Sequence, residues 1–87
     1  MTLTRTEVEQ VVRETIAEQL GLASADTVTA HADFFNDLGG DSLDYAELAM
    51  SLEDRFDVNI PESDTPTAVD GMVEMLLKHL AESAVAG

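Results

Sequence analysis

The amino-acid sequence predicts an all-α domain, and three observations carry that prediction. "TRTE" at 4–7 and "TAVD" at 67–70 both read as helix-capping signatures, with Thr4 and Thr67 as N-caps and the carboxylates Glu7 and Asp70 three residues on. Each is followed by apolar residues at helical spacing: Val8, Val11, Val12, Ile16 and Leu20 after the first, and Val69, Met72, Val73, Leu76 and Leu80 after the second. No stretch of useful length alternates polar and apolar residues as a half-buried strand would.

In chain order, the first helix is expected over about 4–20, with Gly21 ending it. Residues 21–40, "GLASADTVTAHADFFNDLGG", lack a period and read as a long loop, which a small domain tolerates when the loop packs down or carries function. Leu22, Val28, Phe34, Phe35 and Leu38 are available to pin it, and Asp33 to cap a turn within it. A second helix spans 41–56, with Asp41 as N-cap and Asp44 at the third helical position, where a carboxylate suits the positive end of the helix dipole. Pro61 and Pro66 allow only an irregular stretch or short helix over 61–66. The last helix runs over 67–81 and residues 82–87 form a frayed tail. The expected architecture is a small four-helix bundle: three main helices, a short or reduced third helix, and a long loop between the first and second.

Eighty-seven residues suit one domain, 1–87, and a 45% hydrophobic composition suits a folded one. Without cysteine, any sulfur chemistry needs an imported thiol. No leader-like opening or membrane-length apolar run is present, so a cytoplasmic location and a monomer are expected. Eighteen acidic residues against four Lys and Arg give a formal charge of −14, which repels nucleic acid and anionic lipid headgroups and attracts basic protein surfaces.

Spacing residues around the second helix separates two apolar groups. Tyr45, Leu48, Ala49, Leu52 and Phe56 form a core-facing stripe. Leu43, Ala46 and Met50 fall roughly opposite, bordered by Glu47, Glu53 and Asp54, with Asp44 nearby. An apolar strip rimmed by carboxylates suits docking of a partner. Equally, the long loop could fold over Leu43 and Met50 and leave the acids merely solvated.

Ser42 opens this helix after Gly39 and Gly40, which permit a tight turn and unobstructed approach. A phosphate on its hydroxyl would meet unpaired helix N–H groups and the positive dipole end. An ordinary helix start also explains an Asp-Ser pair. A calcium loop over Asp33–Asp44 fails because Phe35, Leu38 and Asp44 stand where an oxygen ligand, glycine and bidentate glutamate are needed. His31 and His79 lie far apart, so a hydrolytic triad with Ser42 is not supported.

The stretch "FNDLGGDSLDYAELAMSLEDRFDVNIPES" resembles the phosphopantetheine attachment region of acyl carrier proteins, over roughly 34–63, and the flanking helices extend the likeness loosely over nearly the whole chain. The resemblance implies an acyl-carrier-type four-helix bundle. It implies that a phosphopantetheinyl transferase moves phosphopantetheine from coenzyme A onto Ser42, supplying the missing thiol. The chain would then be a carrier and not an enzyme. It also implies that Asp41, Leu43, Asp44, Ala46, Glu47, Met50 and Asp54 occupy the family's partner-recognition helix.

The partners so implied are an acyltransferase or an acyl or aminoacyl ligase, and a ketosynthase or other acyl-processing enzyme with a basic patch. The paired glycines, Tyr45, Arg55 within the acidic run, and Pro66 depart from the commonest pattern. The glycine pair, Tyr45 and Pro66 favour a discrete carrier for polyketide or related specialised, antibiotic-type metabolites. Peptidyl carriage, fatty-acid synthesis and an unmodified interaction module are the alternatives.

Overall fold

In the computed structural model, which describes residues 4–60 and 66–86 (82–86 by backbone alone), α1 spans Arg5–Leu20, α2 Ser42–Phe56 and α3 Val69–Ala86. The short helix expected at 61–66 lies, apart from Pro66, outside the described residues. Helix α1 packs against both α2 and α3.

The start of α1 is fixed locally. The Glu7 N–H donates to the Thr4 hydroxyl (3.2 Å) and the Thr4 N–H donates to the Glu7 carboxylate (3.0 Å). These bonds favour the ionised carboxylate and hold Glu7 below its ordinary pKa. At the other end Gly21 takes a left-handed conformation (φ 68°), and the Leu22 N–H reaches back to the Ala17 carbonyl. Val8, Val12 and Ile16 are fully buried, Val11 and Leu20 only partly. Thr15 is also buried, its hydroxyl satisfied by the Val11 carbonyl at 2.6 Å.

The connection over 21–40 folds down onto the core. It includes a 3₁₀ turn at Ala25–Thr27, capped by the Ser24 hydroxyl accepting from the Asp26 N–H, that no periodicity marked. Val28 and Phe34 are completely buried beside Leu48, Leu52, Met72 and Leu76. Asp33 ties the loop together: its carboxylate accepts from the N–H groups of Phe35 and Asn36 and from the Thr67 hydroxyl at 2.6 Å. Those bonds, that from Thr67 foremost, hold its pKa down against the opposing effect of burial.

Two expectations about α3 are corrected. The helix begins at Val69, not Thr67, and Thr67 is not its N-cap, because its hydroxyl is turned toward Asp33. The first α3 N–H groups bond loop carbonyls instead, Val69 to Ala32 and Asp70 to Ala30. An antiparallel bridge between Asp33 and Ala68 completes this seam. The tail is helical as far as Ala86 instead of frayed from 82, consistent with the helix propensity of its alanines.

Candidate functional site

Ser42 is the first residue of α2 and its side chain is exposed. The helix start is built by a reciprocal pair: the Asp44 N–H donates to Asp41 (2.8 Å) and the Asp41 N–H donates to Asp44 (3.2 Å). Both carboxylates therefore hold the turn that presents Ser42, and each remains at least partly exposed.

The glycines before it have separate reasons to be glycine. Gly39 has φ 76°, which side chains resist. At Gly40 an added Cβ would lie 2.2 Å from the Phe34 ring, so Gly40 is the space through which the buried aromatic supports the loop. The Gly40 N–H also donates to the Phe34 carbonyl at 2.9 Å. Sequence alone could ascribe the pair to a tight turn, but not to an aromatic pedestal.

Helix α2 has the two faces expected of it. Leu48, Leu52 and Phe56 are buried, with Tyr45 and Ala49 partly so. Opposite, Leu43 is 69% and Met50 64% exposed, and Ala46 is exposed. The alternative in which the loop covers Leu43 and Met50 is thereby overturned: Val28 and Phe34 draw that loop into the core.

The acids divide by what holds them. Glu47 accepts from Gln19 of α1 at 2.5 Å. Glu53 is half-buried and accepts from the Ile60 N–H at 2.8 Å, which makes it a brace for the chain leaving α2. Asp54 is exposed beside Met50 on a shallow surface. Arg55 pairs with Glu18 of α1 at 2.7 Å, so it is engaged toward α1 and does not break up the Leu43–Met50 strip.

From Ser42 a groove of about 400 Å³ runs along α2, lined by Tyr45, Ala46, Ala49, Met50, Glu53 and Ile60. Tyr45 lines the groove on the core side, as its place in the stripe predicts, but its partners are not legible in the sequence. Its ring packs against Phe34 and Phe35 (centroids 5.5 and 5.2 Å), and its hydroxyl donates to the Pro66 carbonyl at 2.5 Å. No local signal links residues 45 and 66.

Among the described residues no histidine lines the groove; His31 pairs with Asp70 at 3.0 Å. Among the described residues no three of His, Cys, Asp and Glu gather to hold a metal, and no helix is long and apolar enough to cross a membrane.

Comparison with known protein families matches residues 10–67, more than half of the chain, to the family described as "Phosphopantetheine attachment site". Members of that family carry a covalently attached phosphopantetheine and are acyl carriers, not enzymes, modified by a phosphopantetheinyl transferase. An exposed hydroxyl at the mouth of a capped helix, in a chain with no thiol of its own, is chemistry such an arm completes, and the chain belongs to this family of phosphopantetheine carriers.

Proposed function

We propose that Ser42 is the attachment point and that the exposed face of α2 is where partner enzymes dock. The observation that carries this reading is the exposed Ser42 side chain at the first position of α2. The residues present fit the arm: its phosphate would lie by the unpaired N–H groups of the first turn of α2. When attached, phosphopantetheine supplies a terminal thiol that holds acyl groups as thioesters.

In the loading step the Ser42 oxygen bonds to phosphorus as the pyrophosphate link of coenzyme A breaks and its nucleotide half departs. The hydroxyl proton passes to a base on the transferase, in keeping with a groove that no histidine among the described residues lines. The chain's own share is positional. Asp41 and Asp44 lock the turn, Phe34 supports it through Gly40, and Leu43, Ala46, Met50 and Asp54 offer an apolar strip with an acidic border to partners bearing basic patches.

Within the family we assign the chain to polyketide or related specialised-metabolite synthesis in the cytoplasm. The paired glycines carry no weight in that choice, since Phe34 and the backbone angle at Gly39 account for them. Tyr45, a bulky aromatic on the groove that starts at Ser42 and tied to the Pro66 carbonyl, is the feature that supports it.

The test is intact-protein mass spectrometry after incubation with coenzyme A and a broad-specificity transferase. The chain gains one phosphopantetheine, and Ser42→Ala gains none. Labelling that survives the substitution moves the site elsewhere.

A further inference from the structure

The Ser42 side chain is exposed, so its hydroxyl stands where the backbone beneath it stands. Phe34 meets that backbone on both sides. Before Ser42, the Gly40 N–H donates to the Phe34 carbonyl at 2.9 Å, and the Phe34 ring fills the space that a Cβ on Gly40 would need. After it, the same ring packs edge-on against Tyr45 of α2, with centroids 5.5 Å apart.

Phe34 is held in turn by residue 67. Its N–H donates to the Thr67 carbonyl at 2.8 Å, and the Thr67 hydroxyl donates to Oδ1 of the neighbouring Asp33 at 2.6 Å. Asp33 spends its other acceptors within its own turn: Oδ2 accepts from the N–H groups of Phe35 and Asn36, and its carbonyl from those of Asp37 and Leu38. Residues 33–38 are therefore one knot, and Thr67 grips it by backbone and side chain together. A bond that merely stabilised the bundle could sit anywhere in the loop; these two sit at Phe34 and next to it, so slack in them is passed to the Ser42 turn.

We propose that Asp33 and Thr67 are positioning residues for arm transfer: their bond sets, through Phe34 and Gly40, where the Ser42 oxygen is presented to phosphorus. The inference rests on Ser42 as the attachment point. A misplacement of about 1 Å can cost about a hundredfold in the rate of such a step. The docking strip of Leu43 and Met50 is exposed on the face of α2 opposite Tyr45, so binding of the transferase is a separate quantity.

Transferase kinetics on the full chain, with coenzyme A as donor, separate the two. Thr67→Val keeps the branched shape and the backbone bond and removes the hydroxyl donor, whereas Thr67→Ser keeps the donor. With folding checked by circular dichroism at the assay temperature, Thr67→Val should lower kcat for loading about tenfold and leave KM for the carrier within about twofold of native, and Thr67→Ser should bring kcat back to within about twofold.

A folded Thr67→Val with native kcat overturns the proposal, as does a change confined to KM or an equal fall in Thr67→Ser. A native chain that gains no arm, or a Ser42→Ala chain that gains one, counts against Ser42 instead. Where Thr67→Val does not fold or no arm is gained, hydrogen exchange of the native chain reads the relay. The Gly40 amide should be protected to within about tenfold of the Phe34 amide, since the two open together. A freely exchanging Gly40 beside a protected Phe34 overturns it.

Discussion

The two faces of α2 share one helix and one length of sequence, yet one is sealed and the other left open. Leu48 and Leu52 are 1% and 2% exposed, while Leu43 and Met50, of similar size and apolarity, are mostly in water. Hydrophobicity alone does not decide burial; the available cover does. Helix α1 and the descending loop supply that cover on one side, and no described segment supplies it on the other.

The comparison can be broken at its strong end first. Leu48→Ala should lose about 2–5 kcal/mol of stability, the usual cost of a cavity at a fully buried leucine. Urea denaturation followed by helical circular dichroism measures it, and a loss below about 1 kcal/mol would mean that this face is not the core.

A smaller effect concerns the loop that brings Ser42 to the open face. Asp33 titrates below its ordinary value of 3.8 in the folded chain, so its ionised form stabilises the fold above that pH. That contribution disappears as pH falls from about 3.8 through the lowered folded value, and Glu7 acts with the same sign below its ordinary 4.5. Asp33→Asn should therefore flatten the acid side of a melting-temperature profile. An unchanged slope there would deny Asp33 its part.

The weakest effect on stability is expected at the open face itself. Met50→Ala should change unfolding free energy by no more than about 0.5 kcal/mol, as substitutions outside the packed core generally do. Its rate of arm loading by the transferase should nonetheless fall several-fold. Loss of stability without loss of loading rate would reverse the roles given to the two faces.

The parts legible in the sequence were those written within a few residues. Thr4 with Glu7, and Asp41 with Asp44, are capping partners three apart, and both pairs form as the spacing says. The two stripes of α2 follow from one helical period. Thr67 misled for the complementary reason. Its sequence neighbourhood fits a cap, but its hydroxyl donates to Asp33, distant in the chain and adjacent in space, and the N–H groups it would have capped bond loop carbonyls. The same distance hid the bond from Tyr45 to Pro66, the support of Gly40 by Phe34, and the bracing of Ile60 by Glu53. Which acids of α2 face outward as free charge was likewise not written locally, since Gln19 on another helix engages Glu47.

The seam where Ala30, Ala32, Asp33 and Phe34 meet Thr67, Ala68, Val69 and Asp70 has a consequence for assembly of the molecule. The pedestal under the Ser42 turn is finished only when residues 67–70 arrive. A nascent chain cut short before Thr67 would hold every residue of the attachment motif and still lack the lateral bonds that set its height. On a ribosome, competence for loading should therefore come only after α3 has docked.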